Sequence, residues 1–114
     1  VNADGQKTMK ECWGKPSKWV DYTGKVGDKT YGVAIMDSPK NFRPSRYHAR
    51  DYGLFTISPF GEGAYQNDPA KAKPFVLDAK APKVDLTYGL YVHTGDAAAG
   101  KVAEAYEKFL AATK

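Results

Sequence analysis

Gly27-Asp28 stands between two runs of alternating apolar character, residues 17–26 and 29–37. Two residues of this type in such a place turn the chain back on itself as a β-hairpin. In the second arm Tyr31, Val33 and Ile35 share one face, with Gly32 and Ala34 on the other. That period of two is the mark of a strand with a buried side. Eight tyrosines and two tryptophans favour strands, and eleven glycines with seven prolines, spread along the chain, supply turns. At 114 residues there is room for one small domain.

Residues 1–16 read as an irregular lead-in anchored by Trp13. Pro39 and Pro44 cannot both serve a sheet ladder, so residues 38–44 read as a loop. A short strand follows over 52–58, ended by Pro59-Phe60-Gly61, and residues 61–74 form a long polar loop. A second hairpin is expected around Ala81-Pro82, with arms 75–79 and 84–93. In its longer arm Val84, Leu86, Tyr88, Leu90 and Val92 make one apolar face, which leaves His93 and Tyr91 on the more polar one. Asp96 then caps a helix over 97–112 whose Val102, Tyr106, Phe109 and Leu110 form a stripe that packs on the sheet. The predicted class is mostly β: an antiparallel β-sandwich, or part of one, with a C-terminal amphipathic helix on the sheet.

The formal charge of +4 comes from lysines scattered through turns and the final helix, without a basic stripe interleaved with stacking aromatics. No nucleic-acid partner is expected. Cys12 is the single cysteine, which excludes an internal disulfide and a thiolate metal site. The two histidines show no recognised ligand spacing, so neither metal nor cofactor is expected. No run of about 18 apolar residues is present, so no membrane insertion is expected. The start at Val1, without a leader-like segment, reads as a processed or trimmed chain.

Chemistry concentrates between residues 32 and 61, where His48, Arg50, Asp51 and Tyr52 lie between two apolar runs. Buried charges cost several kcal/mol unless paired. The cluster is therefore either a site or a tightly paired structural network. In an extended segment His48 and Arg50 point the same way, while Tyr47, Ala49 and Asp51 point the other. A titratable base beside a permanent cation suits a carboxylate, a phosphate or an array of sugar hydroxyls, with His48 as general acid or base. The structural alternative locks Arg50 against Asp37 or Asp51 and ties His48 to a carbonyl. Asp37 suits a catalytic carboxylate or an Asx turn, and Asn41 a ligand donor or a loop residue. Trp13, Trp19, Tyr22, Tyr47 and Tyr52 either line a cleft for sugar rings or fill a core.

Several segments resemble the methane oxygenase PmoA-like family: NADG at residues 2–5, Trp13-Gly14-Lys15, Trp19-Val20-Asp21-Tyr22, residues 32–35, Asp37-Ser38-Pro39 with Asn41, residues 47–55, residues 58–61, and residues 91–96. The resemblance implies a β-sandwich and identifies the chain as the C-terminal part of a longer domain. A companion segment or further copies of the chain would then cover its sheet edges. It also implies carbohydrate-related roles, makes His48 and Arg50 the better catalytic candidates, and carries over Asp37, Asn41 and His93 as pocket members. Together with the reading of the residues, the candidate catalytic set is His48, Arg50 and Asp37, and the candidate ligand contacts are Asn41, Tyr47, Tyr52, Trp13 and His93. Ser38 stands where that family commonly has His, and Tyr47 where it has Trp. The family's name implies methane oxidation, yet nothing in the chain resembles a copper site.

The leading expectation is an extracytoplasmic β-sandwich domain, periplasmic or secreted, that binds or processes a small-molecule or carbohydrate ligand by an unassigned reaction. The runner-up is a structural, self-assembling β-protein in which His48 and Arg50 are buried ties. An oxygenase, as the family label would have it, is the third.

Overall fold

The computed structural model describes residues 1–114, and its framework is a three-stranded antiparallel sheet in the order β1-β2-β5. β1 (Trp19–Val26) and β2 (Lys29–Asp37) form the hairpin expected around Gly27-Asp28, with Val26 opposite Lys29 and Trp19 opposite Met36. Gly27 has φ +65°, the left-handed turn conformation that glycine adopts without strain. β5 (Tyr88–Thr94) pairs with the other edge of β2, so that Gly32 faces His93 and Ile35 faces Leu90. β3 (Arg46–Ala49) and β4 (Phe55–Ser58) make a separate two-stranded antiparallel sheet.

The layers cover opposite faces of the large sheet at different places. Beneath one face lies α3 (Val102–Ala112), which joins Val102 and Tyr106 to Ala34 and Met36, with Trp19, Tyr91, Phe109 and Leu110 packed around them. Against the other face the small sheet sets Tyr47, Phe55 and Ile57 on Val20 and Ile35. The expected class is what the chain forms: mostly β, antiparallel, two sheets face to face in part, with a C-terminal helix on the larger one.

Four boundaries differ from expectation. Residues 75–87 do not form the first part of a hairpin. A single bridge joins Asp78 to Ala81, residues 71–83 are exposed throughout, and β5 begins only at Tyr88. Proline at 74 and 82 removes ladder donors, and no strand lies beside Val84 and Leu86 for their alternation to pair with. The strand expected over 52–58 shortens to β4, because residues 51–53 make the turn from β3. The loop over 61–74 contains a single-turn helix, α2 (Glu62–Tyr65), and a 3-10 turn, and a similar short helix, α1 (Thr8–Cys12), lies in the lead-in. Asp96 does accept from the Ala99 backbone (2.8 Å), but this closes a turn. Lys101 then adopts φ +55°, so the helix proper starts at Val102.

The apolar alternation of β5 also lands differently. Leu90 and Val92 are 76% and 73% exposed, whereas Gly89, Tyr91 and His93, on the face read as polar, lie toward α3. The helix selects this face because glycine at 89 leaves room for it to approach. A Cβ at Gly89 would stand 2.9 Å from the Phe109 ring.

Candidate functional site

β3 turns Tyr47 and Ala49 into the core and Arg46 and His48 outward. Arg50, next in the same alternation, follows them, so three cationic or titratable side chains line one face at a spacing of two. The segment before β1 covers this face. Gly14 donates to the Tyr47 carbonyl (2.7 Å), Tyr47 donates to the Lys15 carbonyl (3.2 Å), and Pro16 bridges to Arg46. Trp13 is thereby held over β3, edge-on to His48 with ring centres 5.5 Å apart. Tyr65 of α2 closes the other side, 5.5 Å from Trp13 and 6.1 Å from His48.

The two arginines of this face differ in charge balance. Arg46 is neutralised: its Nε donates to the buried Glu62 carboxylate at 3.1 Å and its Nη1 to the Gly14 carbonyl at 2.8 Å. Arg50 has no carboxylate partner. Its Nε donates to His48 Nε2 at 3.3 Å and its guanidinium carbon lies 4.8 Å from the Trp13 ring centre, a cation–π stack. The lock against Asp37 or Asp51 weighed from the sequence is therefore absent. Trp13 Nε1, on the ring that carries Arg50, is buried without an acceptor. Beside Arg50 opens a cleft of about 330 Å³ lined in part by Thr8, Met9, Tyr22, Thr23 and Asp51. The Tyr22 hydroxyl fixes its wall by donating to the Arg50 carbonyl and accepting from Gly53 N. Cys12 also lines the cleft, and burial pushes its thiol above the ordinary range.

The structure gathers His48, Arg50 and Trp13, and it distributes the other candidates. Tyr47 is fully buried, its hydroxyl donating to the Ile35 carbonyl at 3.0 Å, and burial pushes it well above an ordinary phenol. Tyr52 is 74% exposed. Asp37, buried at the end of β2, accepts from Ser45 N (2.7 Å) and Asn41 Nδ2 (2.8 Å). Asn41 in turn exchanges two hydrogen bonds with the Thr87 backbone (2.7 and 2.9 Å). Both residues therefore organise the loop after β2, and they line a second cleft with Ser17, Pro39 and Tyr106.

His93 lies beneath the large sheet, with Nε2 2.7 Å from Asp21 Oδ1 and Nδ1 3.2 Å from the Thr94 carbonyl. The two sheets separate it from His48. Burial, the largest single influence, lowers its pKa. The hydrogen bonds to Asp21 and Thr94 and the charges of Asp21 and Asp96 outweigh it, so the imidazole sits above its ordinary value. No three metal-ligating side chains converge anywhere in the chain. Sequence reasoning missed Tyr65, Glu62 and the Asp21–His93 pair. Tyr65 and Glu62 fell in a segment without a motif, and Asp21 lies 72 residues from its partner.

A model of a family of unknown function, DUF6807, matches residues 1–107. This match corrects the PmoA-like resemblance: nothing links the matched family to methane oxygenase, and the implications drawn from that name lose their basis. No curated protein and no solved structure matches the chain.

Proposed function

The chain belongs to the DUF6807 family, whose function is unknown, and we propose from the chemistry of its own site that the outer face of β3 binds a carbohydrate-type ligand through Arg50 and Trp13. One observation carries this reading: a half-buried guanidinium stacked on an indole and bonded to an imidazole, with no carboxylate to neutralise it. Structural arginines at such depth are paired, as Arg46 is. An aromatic ring beside an unpaired fork suits a ligand with an apolar face and oxygen acceptors. His48, in contact with Arg50, is the acid–base candidate for chemistry on that ligand. Titration with a panel of sugars, followed by tryptophan fluorescence, tests the reading. Arg50→Gln and His48→Ala should abolish the response while leaving the melting temperature within about 2 °C of the parent, as surface-type changes do. A large loss of stability without any ligand response would assign the pair a structural role instead.

A specific feature of β5 favours a second reading, association of two copies of the chain. Hydrogen bonds from Gly95 N to Thr30 O (2.8 Å) and from Ser38 N to Thr87 O (3.3 Å) set the phase of the β2–β5 ladder. The backbone groups of Leu90 and Val92 therefore face the open edge. The strand carries no lysine, arginine, carboxylate or proline to blunt that edge, while the start of the opposite edge is paired by residues 1–3. A two-fold axis at Tyr91 would set Leu90 against Val92 of the second copy in both directions. Sedimentation equilibrium should then show a dimer that Leu90→Lys with Val92→Lys converts to a monomer. A parent that is monomeric at high concentration refutes it.

A further inference from the structure

We infer that the ligand of the β3 site is a carboxylate-bearing sugar rather than a neutral one, an inference that rests on the carbohydrate reading above. One cation at the site lacks a counter-charge: the Arg50 fork has no carboxylate partner. A neutral sugar hydroxyl offers an acceptor but leaves the guanidinium charge uncompensated. A carboxylate satisfies the fork with two parallel charge-assisted hydrogen bonds. Arg46, the only other guanidinium on this face, is already neutralised by Glu62, so Arg50 is the one left to meet an anion. Arg50 also borders a cleft of about 330 Å³, at the small end of ligand pockets, whose lining includes neither Trp13 nor His48. Its lining mixes Thr8, Tyr22 and Thr23, which can bond ring hydroxyls, with Met9, Val20 and Ala49, which can lie against an apolar sugar face.

The experiment is calorimetric titration of the full chain with D-glucuronate and D-galacturonate, set against D-glucose, D-galactose and D-glucose 6-phosphate, at low salt. The uronates should bind at least about 10-fold more tightly than the neutral sugars, as expected for a gained charge-assisted pair. Arg50→Gln should abolish uronate binding, and Arg50→Lys, which keeps the charge but loses the fork, should restore part of it. Equal binding of uronates and neutral sugars overturns the acidic-ligand inference and leaves the carbohydrate reading standing. Tighter binding of the 6-phosphate than of the uronates assigns the fork to phosphate and overturns the carboxylate inference. Binding of no sugar at all overturns both the inference and the reading beneath it. Far-UV circular dichroism of each variant keeps a folding defect from passing as lost affinity.

Discussion

Gly32→Ala should unfold this protein more readily, against the ordinary expectation for a strand. Alanine inside a strand is favoured over glycine by about 0.5–1 kcal/mol because the glycine backbone loses more freedom on folding. Gly32 has no left-handed φ that would oppose the change, so local preference alone predicts stabilisation. The structure predicts the reverse. A Cβ at this position would stand 2.5 Å from His93 Cε1 and 3.1 Å from Asp21 Oδ1. The imidazole cannot retreat, because a Cβ built on Gly100, on its other side, would already stand 2.5 Å from His93 Cγ. The ring therefore fills a slot between two glycines, held by Asp21 at 2.7 Å. Overpacking costs about 1–3 kcal/mol, and separating a buried hydrogen-bonded pair costs about 3–5 kcal/mol. With partial relaxation and the backbone gain subtracted, the net loss is about 3 kcal/mol. At about 2.1 cal/mol/K of unfolding entropy per residue over 114 residues, that lowers the melting temperature by roughly 12 °C. Thermal and urea melts followed by circular dichroism read it. Gly24→Ala, where the added Cβ meets nothing within 4 Å, is the matched control and should be neutral or slightly stabilising. In a His93→Ala background the cost of Gly32→Ala should largely vanish, a coupling measurable by a double-mutant cycle. Equal stability of Gly32→Ala and the parent would refute the reasoning.

Stability should also depend on His93 protonation. Its folded pKa is raised, so its contribution is fully present below the unfolded value near 6.5 and is lost as pH rises through the higher folded value. Urea midpoints measured from acid to alkaline pH should fall across that window in the parent and flatten in His93→Gln. Tyr47, Tyr65, Tyr88 and Tyr106 are all pushed upward by burial. Absorbance titration of the native protein should therefore show these four tyrosines ionising late, or only on unfolding. Asn41→Ala removes three hydrogen bonds that tie the loop after β2 to Asp37 and Thr87. It should cost about 1–3 kcal/mol in chemical denaturation, the penalty of leaving such partners unmet.

Local chemistry explains which parts of this fold were legible in the sequence. The hairpin at Gly27-Asp28 needed only its turn residues and period-two arms, and both are local. The helix stripe of Val102, Tyr106, Phe109 and Leu110 was legible for the same reason. The opposite holds for β5, where alternation showed two faces but not which one the helix would cover. Glycine at 89 decided that, through space for the helix rather than through hydrophobicity. At the site, the spacing of His48 and Arg50 foretold their shared face, and Trp13 was legible as an anchor though not as the ring beneath Arg50. Asp21 gave no sign of its bond to His93, since only the register of β1, β2 and β5 brings them together across Gly32.

β2 is the one strand with a neighbour on each side and a layer against each face: α3 on Ala34 and Met36, the small sheet on Ile35. Every other strand can fray from an edge without disturbing both layers, but β2 cannot open unless both come away. Its central amides, Ala34 to Met36, are therefore the ones that exchange with solvent deuterium only through opening of the whole molecule. The exchange rate of these few protons reports the global unfolding free energy, while the outer amides of β5 report the fluctuations of a single edge.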